Sequence, residues 1–477
     1  MSTPELLKLS IQELAPRIRS KEISPLELTR AALEQAERMQ PNLNSFITLM
    51  AASALKQAEM REQAILRGEY QGPLDGIPVG VKDNIAMAGV KCTAGSLVFG
   101  DFVPEEDAFV VQQLQAAGAI IIGKENMHEL AAGGTSDNPH YGTVRNPWNL
   151  DHIPAGSSGG AGANVAACVT FSSLGTDIGG SVRTPAAYCG VVGLKATFGR
   201  VSQRGMIATT FHGDHIGPLT RTVADAALVL QVLSAYDALD PSSVPMEARD
   251  YSRLLSNGLK GVTVGVPTDF YFEDIDEEVD KLTRAAIAQL AEMGAEIREV
   301  SLPTLRYADS LQIDQLAEDF VLHEPWLREK RDLYTPELAE RYLSGQFVLG
   351  RDYAKCLRAQ RLVKQEFAKA FQQVDVLATP TTLMPAPRID ATSVSIRGVE
   401  LPLSASGNNM LYRNAFPSNF TGLPSMSVPC GFSENGLPLG LQLIGRAFEE
   451  DFLLGVAAIY EQVSPSRGRL APLVATM

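Results

Sequence analysis

Histidine and cysteine are scarce in this chain, and neither is spaced as a metal or redox site requires. The six histidines form no His-Glu-x-x-His pattern, and the pair His212 and His215 is typical of a polar loop. The five cysteines are odd in number, far apart and without a Cys-x-x-Cys pair: Cys92, Cys168, Cys189, Cys356 and Cys430. We therefore expect reduced structural thiols, no metal ion and no cofactor.

Basic residues are also under-represented, with 41 Lys and Arg against 55 Asp and Glu and a net charge of −14. A phosphate backbone is bound by a basic surface, so this balance argues against direct binding of nucleic acid and favours a small-molecule partner. No run approaches the roughly 20 apolar residues of a membrane span, and residues 1–5 lack the start of a signal peptide. We expect a cytoplasmic protein with no membrane partner.

The spacing of hydrophobic residues changes along the chain. Residues 1–70 show helical spacing and are expected to form a helical segment that packs on the core and offers a surface for a homodimer. Further on, short β-type runs, such as 77–81, 119–122 and 262–266, alternate with helical stretches. That alternation predicts an α/β protein with a mostly parallel or mixed sheet and helices on its faces.

Glycine and other small residues concentrate in two loops around one short helical run. The first loop reads Ala155-Gly-Ser-Ser-Gly-Gly-Ala-Gly-Ala163, and the second reads Gly175-Thr-Asp-Ile-Gly-Gly-Ser-Val-Arg-Thr-Pro185. Glycine lets backbone N–H groups converge on a ligand, which fits a phosphate cradle, a flexible linker or an oxyanion hole beside a nucleophilic serine. Neither phosphate-binding pattern is present in working form, and a linker would not contain the Asp, Ile, Arg and Pro of the second loop. The oxyanion hole explains why Gly179 and Gly180 directly precede a serine.

These loops resemble the amidase signature family, whose hallmark is Gly-Gly-Ser-Ser-Gly-Gly followed by Gly-Thr-Asp-x-Gly-Gly-Ser-x-Arg-x-Pro. Residues 72–84, Gly-Pro-Leu-Asp-Gly-Ile-Pro-Val-Gly-Val-Lys-Asp-Asn, resemble the family's lysine segment, and further blocks match in order as far as residues 440–445. Ala155 and Ala161 depart from the residues usual in the family, at positions that carry no chemistry. The resemblance implies a single α/β/α domain over residues 71–477, with a large twisted mixed sheet, helices on both faces and a helical pocket insertion at about 305–372.

Three residues take the catalytic roles when the resemblance is carried over. It implies that Ser181 is the nucleophile, Ser157 a bridging serine held by a cis peptide bond, and Lys82 the general base of an acyl-enzyme mechanism. A serine hydroxyl becomes a good nucleophile only when a base takes its proton, so Lys82 must be neutral. That requires a pKa about three units below the usual 10.4 of lysine. The apolar run before Lys82 indicates a buried strand, which would lower the pKa by desolvation.

Neighbouring residues take supporting roles in the same resemblance. The oxyanion hole would be formed by the backbone N–H groups of Ile178, Gly179, Gly180 and Ser181. Asp177 and Arg183 would brace this loop without touching the substrate. The position of the family's pocket wall falls on Ala131, Ala132, Gly133 and Gly134. Such small residues predict a low wall and relaxed activity on esters, anilides or carbamates.

The sequence leaves the substrate open. Aromatic residues in the 305–372 segment, such as Phe320 and Trp326, indicate an apolar or aryl substrate unless they are core residues at helical spacing. The alternative is the glutamine-hydrolysing component of a tRNA-dependent amidotransferase, where the resemblance places an acidic residue ahead of a Gly-Leu-Pro element to read the amino group of glutamine. That position is Tyr412 here, which weakens the glutamine interpretation. We predict an amidase that cleaves a carbon–nitrogen bond of a small, apolar or aryl amide; a non-catalytic binder with this fold is disfavoured by the intact Lys82 and its two serines.

Overall fold

One mixed sheet of eleven strands runs through the computed structural model, which describes residues 3–246, 249–251, 258–404 and 409–475. Its strands are, in chain order, β1 Phe46–Leu49, β2 Pro78–Lys82, β3 Ile120–Glu125, β4 Ser172–Thr176, β5 Val192–Lys195, β6 Ile216–Thr220, β7 Thr263–Pro267, β8 Glu296–Val300, β9 Val376–Pro380, β12 Ser425–Phe432 and β13 Pro438–Ile444. A separate hairpin is formed by β10 Ser393–Ile396 and β11 Val399–Pro402. The predicted mixed sheet is therefore confirmed.

The strand order is β1-β3-β2-β4-β6-β5-β12-β13-β9-β7-β8. Strand β2 runs parallel to β3 and β4, and β7 runs parallel to β8 and β9. The other pairs in the sheet are antiparallel. The antiparallel strands β5 and β6 were not predicted, because their short sequences contain glycine, proline and lysine and lack a clear alternation.

Helices cover the sheet. They are α1 Thr3–Leu6, α2 Ile11–Arg19, α3 Pro25–Leu43, α4 Ala51–Leu66, α5 Phe109–Ala116, α6 Gly159–Ala166, α7 Arg183–Cys189, α8 Val223–Leu233, α9 Glu277–Glu292, α10 Ile313–Glu329, α11 Pro336–Ser344, α12 Gly350–Ala370, α13 Pro417–Thr421, α14 Glu450–Val463 and α15 Pro472–Ala475. Helices α6 and α7 pack together against the central strands, while α8, α9 and α14 form another layer. None of the helices in the described ranges is both long and apolar enough to cross a membrane.

The N-terminal region is helical, as its spacing predicts, but it also contributes to the sheet. Ser10 caps the start of α2, where its side chain and that of Glu13 form a reciprocal capping box, and Ser24 caps the start of α3. Between α3 and α4, β1 pairs antiparallel with β3. Four residues are too few to show an alternation, which is why this strand was not predicted. A division of the chain at residue 70 stays a prediction.

The parallel strands β2 and β4 place their carboxyl ends at the same edge of the sheet. Every residue of both strands is buried. Strand β2 ends at Lys82, and β4 ends at Thr176, directly before the second glycine-rich loop. Open α/β sheets bind ligands outside the carboxyl ends of parallel strands, so this edge is where a site is expected.

Candidate active site

Lys82 lies at the end of β2 with its side chain fully buried. Its Nζ lies 2.7 Å from the Oγ of Ser157 and 2.7 Å from the Oγ1 of Thr176. Burial lowers the pKa of Lys82 to about 7, while the carboxylates of Asp214 and Asp177 act in the opposite direction. A lysine with this pKa is about half neutral near pH 7, and the neutral form can accept a proton there.

Ser157 reaches Lys82 from the loop before α6. The Gly156–Ser157 peptide bond is cis, as the resemblance implies. Position 156 must be glycine because a Cβ atom there would come within about 3 Å of the backbone of Gly133 and Gly134. The neighbouring Ser158 fixes the loop to β4, since its hydroxyl donates to the Thr176 carbonyl oxygen at 3.1 Å and accepts from the Thr176 N–H at 3.2 Å.

Ser181 lies in the adjacent loop, between β4 and α7. The hydroxyl of Thr184 joins the two loops, because it lies 3.1 Å from the carbonyl oxygen of Gly156 and 3.0 Å from that of Gly180. Ser181 itself is 2 % exposed and lines a small recess. The structure thus brings Lys82 and Ser157 into contact and places Ser181 in the loop beside them.

Asp177 and Arg183 form a buried ion pair beneath the Ser181 loop, with 2.8 Å between Oδ1 and Nη2. Burial acts to raise the pKa of Asp177, but Arg183 and Asn419 hold it well below its usual value. The carboxylate also accepts backbone N–H groups of Gly180 and Val182. The guanidinium of Arg183 donates in turn to α13 and β13 and to the turn before α13, through Asn419, Ser418, Gln442 and the Ala415 carbonyl oxygen.

The Asp177 contacts change the predicted oxyanion hole. The Gly180 N–H donates to Asp177 Oδ1 at 2.8 Å, so it points into the protein and not toward the recess. The prediction that Gly180 contributes a donor to the oxyanion hole is therefore corrected. Its N–H is already hydrogen-bonded to the carboxylate of Asp177. The N–H groups of Ile178, Gly179 and Ser181 have no acceptor among the residues that the structure describes, and these three remain as donors.

The recess beside Ser181 has a volume of about 40 Å³. Its lining consists of Ala131, Ala132, Ile178, Gly179, Ser181, Gln312, Gln315, Arg341, Tyr412 and Phe416. Of the predicted wall, Ala131 and Ala132 line the recess. A Cβ at position 133 would overlap the ring of His128, and one at position 134 would meet the ring of Tyr412. Small residues are required at both positions because other side chains occupy the space.

Arg341, on α11, is the cationic side chain of the recess. Its Nη1 donates to the Ala132 carbonyl oxygen at 2.8 Å, and its Nη2 lies 3.4 Å from the carboxylate of Asp319. Although burial acts to lower the pKa of Arg341, Asp319 and its other neighbours raise it, so the guanidinium stays charged. Burial raises the pKa of Asp319 to about 7. Near neutral pH the positive charge in the recess is therefore only partly compensated.

The aromatic residues of the 305–372 segment pack against one another. His323 stacks on Tyr342 with 4.6 Å between ring centroids, and Trp326 packs edge-on against Phe99 at 4.9 Å. Tyr342 is fully buried. Phe320, Trp326, Tyr334 and Tyr342 therefore belong to a core beside the recess, whereas Phe347 is exposed. The same segment presents polar groups, including Arg341, to the recess itself.

The loop of residues 209–215 lies next to the Ser181 loop, since Thr210, His212 and Gly213 line a small pocket together with Ile178. Asp214 is buried and accepts the backbone N–H groups of Thr209 and Thr210 at 2.8 Å each. His212 contacts Asp314 and Glu318 of α10 at 3.2 and 3.0 Å, and these carboxylates raise its pKa to about 10. The loop is thus tied to α10 by a charged histidine.

Sequence reasoning missed Thr176, Asp214 and Arg341. Thr176 belongs to the Gly-Thr-Asp element of the second loop, so that motif could have signalled it. Asp214 lies in the stretch interpreted as a polar loop, and Arg341 lies on an amphipathic helix far along the chain, where no local pattern distinguishes it.

The cysteines are all free and buried. Across the described parts of the chain, no group of three or more His, Cys, Asp or Glu side chains could hold a metal ion.

Comparisons with known proteins agree with this geometry. The family model described as Amidase matches residues 27–454. A glutamyl-tRNA(Gln) amidotransferase subunit from Cyanothece sp. is 39% identical, over 96% of this chain and 99% of the relative. A structure described as a vestigial protein complex that reveals the origins of an s-triazine catabolic enzyme has a TM-score of 0.90 at 30% identity, over 95% and 98% of the two chains. The structure of a glutamyl-tRNA(Gln) amidotransferase subunit from Thermotoga maritima has a TM-score of 0.77 at 31% identity, over 98% of each chain.

The prediction that excluded nucleic acid is wrong in light of these relatives. Proteins that share most of this chain's length are named as subunits of an enzyme for glutamyl-tRNA(Gln). The net charge of −14 is an average over the whole chain. The net charge of this chain says nothing about what a partner protein binds. It was therefore not a sufficient reason to exclude nucleic acid.

Proposed function

Because the chain belongs to the amidase family, whose enzymes act on carbon–nitrogen amide bonds, we propose that it hydrolyses the amide of a small substrate that also carries a carboxylate, with glutamine as the first candidate. The observation that carries the proposal is the guanidinium of Arg341 in the recess beside Ser181. The names of the curated relatives support glutamine, which has both groups.

Arg341 suits a carboxylate for geometric and electrostatic reasons. A guanidinium presents a planar fork of N–H donors that matches the two oxygens of a carboxylate. Two of its bonds are made to Ala132 and Asp319, and they hold the fork in place. An apolar or aryl amide, the substrate class expected from the sequence, would displace water from this partly exposed guanidinium without replacing its hydrogen bonds, which costs free energy.

The chemistry follows from the side chains around Lys82. Ser181 attacks the amide carbon while its proton passes through Ser157 to neutral Lys82, and the N–H groups of Ile178, Gly179 and Ser181 stabilise the oxyanion. Lys82 then returns the proton through Ser157 to the leaving nitrogen, which departs as the C–N bond breaks. Water then attacks the acyl carbon, and its proton passes through Ser157 to Lys82. The bond to Ser181 breaks, Lys82 returns the proton through Ser157 to the Ser181 oxygen, and the acid is released.

A panel of three amides tests the substrate assignment. Glutamine carries a carboxylate and an amino group, glutaramate keeps only the carboxylate, and 4-aminobutanamide keeps only the amino group. We expect kcat/KM for 4-aminobutanamide to be at least about 100-fold below that for glutaramate, because its ammonium group repels the guanidinium and forms none of the charge-assisted hydrogen bonds of a carboxylate. Equal turnover of the two compounds, or a preference for acetanilide, would refute the assignment.

A second candidate is favoured by Tyr412. Tyr412 lines the recess where an acidic side chain would be needed to read the amino group, and burial raises the pKa of its hydroxyl, so it stays neutral. The candidate is an amidase that acts on a carboxylate-bearing amide without an amino group. Glutaramate hydrolysed much faster than glutamine would select this candidate, and the reverse order would select glutamine.

We also propose that the chain works with a protein partner, since its relatives are named as subunits. Affinity purification from the source cell under low-salt conditions tests this. A stoichiometric second protein is expected, whereas a monomer with full activity on its best substrate would count against the assembly.

A further inference from the structure

A second cavity, of about 520 Å³, lies away from Ser181 and shares no lining residue with the recess. It lies between the N-terminal region, the ends of α6 and α7, and the residues that follow α14. Small-molecule sites in proteins have volumes of about 300–1,000 Å³. The cavity therefore has the size of a ligand site, and nothing in the proposed reaction uses it.

Positive charge dominates the lining of this cavity. Lys8, Arg467 and Arg469 line it, and none of the three has an ion-pair partner within the described ranges. Of the carboxylates in the lining, Glu13 is engaged in the capping box of α2. The other, Glu461, accepts the Val223 N–H at 2.8 Å. Arg221 lines the cavity as well, so four cations face two carboxylates there, and this excess of positive charge favours an anionic ligand.

Two further features point to a ligand with an apolar body. Trp148 is held in a fixed plane, because its indole N–H donates to the Cys189 carbonyl oxygen at 2.7 Å and its ring packs on Phe432 at 4.8 Å. The remaining apolar lining includes Val191 and Leu470. In addition, Ser466 lines the cavity at 8 % exposure, and its buried Oγ has no hydrogen-bond partner in the described structure. A buried hydroxyl without a partner is uncommon and is satisfied when a ligand atom reaches it.

Two helices, α6 and α7, run from the cavity to the loops of the candidate active site. Ala166 at the end of α6 and Cys189 at the end of α7 both line it. The opposite ends of these helices follow the loops of Ser157 and Ser181. We propose that this cavity is a second ligand site, which binds a small anion with an apolar body and whose occupancy changes the reactivity of Ser181.

Tryptophan fluorescence gives a direct test, since the chain has only two tryptophans. Replacing Trp326 by phenylalanine leaves Trp148 as the sole reporter, at the wall of the cavity. Titration of this variant with phenyl phosphate and with benzoate, at an ionic strength of about 0.15 M to screen loose association, should give saturable changes. Phenol, the neutral analogue, should bind more weakly.

Charge variants decide where the anion binds. Adding Arg467→Glu and Arg469→Glu to the reporter variant should raise Kd for phenyl phosphate by at least tenfold. Arg358→Glu combined with Arg361→Glu, at exposed positions on α12 outside the cavity, makes the same change in net charge and should leave Kd within twofold. Absence of a saturable change, or the same change in all variants, would overturn the site. Calorimetry on the chain with both tryptophans gives the same comparison should Trp326→Phe fail to fold.

The link to Ser181 is measured separately, by the rate at which a fluorophosphonate labels it. Saturating phenyl phosphate should change this rate at least twofold, and the change should vanish in the Arg467→Glu, Arg469→Glu variant. Binding without any change in the labelling rate would overturn the link. The Trp148 titration does not depend on the catalytic roles proposed for Lys82, Ser157 and Ser181. If those roles are wrong, only the labelling experiment is affected.

Discussion

Around Ser181 the recess has two walls that are built differently. The serine loops hold their polar groups inside the protein: Asp177 takes backbone N–H groups of its own loop, and Arg183 ties that loop to α13 and β13. The facing wall, from α10 and α11, presents the long side chain of Arg341, which is 35% exposed and bonded weakly to Asp319. One wall is fixed by the backbone, and the other is set by single side chains.

This difference separates two tasks. Groups that stabilise a transition state must be held in place before the reaction, because reorganisation during the reaction costs free energy. A side chain that selects a substrate needs only to favour binding of one charge over another. Changes in the loop wall should therefore affect the chemical step and stability, whereas changes in the helical wall should affect KM.

The largest effect is expected for Ser181→Ala and Lys82→Ala. Each should lower kcat by about 10⁴–10⁶-fold, because nucleophile and base act as a unit. Intact mass after incubation with a fluorophosphonate checks the assignment: labelling should be lost in the Ser181 variant and greatly slowed in the Lys82 variant. Ser53→Ala, at an exposed serine, is the control. Full labelling of the Ser181 variant would place the nucleophile elsewhere.

Asp177→Asn should weaken the loop wall as a structure. It leaves the charge of Arg183 buried without a carboxylate, which costs about 3–5 kcal/mol in the free energy of unfolding. Urea denaturation measures this cost. Asp280→Asn removes a partly exposed partner of Arg284 and Arg397 and should change the free energy by no more than about 1 kcal/mol. Equal values for the two variants would mean that the buried pair does not brace the loop.

Arg341→Met tests the helical wall. For a carboxylate-bearing amide it should raise KM by about 100-fold, equivalent to about 2.7 kcal/mol, with kcat within a few-fold of the unaltered enzyme. Arg341→Lys keeps the charge but loses the fork, so its KM should lie between the two. Arg328→Met, on an exposed part of α10, serves as the control. A fall in kcat at constant KM would contradict the proposed division between the walls.

The smallest effect concerns pH. Because Lys82 must be neutral to accept a proton, kcat/KM should rise with pH through about 7, the pKa that burial gives this lysine. Asp214 raises that pKa, so Asp214→Asn should shift the acid limb to lower pH by up to about one unit. A shift in the opposite direction would exclude Asp214 as a group that tunes Lys82.

The two walls also differ in how far the sequence predicted them. Lys82, Ser157 and Ser181 stand in short motifs, so one chain was enough to nominate them. Arg341 carries no local signal, since an arginine on an amphipathic helix is usually a solvated residue, and only the fold brings it to the recess. The direction of the Gly180 N–H depends on the backbone conformation of its loop, which residue identity alone does not determine. The mixed sheet was predicted from its apolar strands, while β1, β4, β5 and β6 were too short or too polar to recognise.

Two ion pairs, from His212 to Asp314 and to Glu318, tie the loop of residues 209–215 to α10. With a pKa of about 10, that histidine keeps its charge throughout the range in which Lys82 titrates. Acidification below about pH 7 would therefore protonate Lys82 while the ion pairs of His212 with Asp314 and Glu318 stay charged on the histidine side. In the proposed reaction, the pH that stops proton transfer is thus different from the pH that would release this loop from α10.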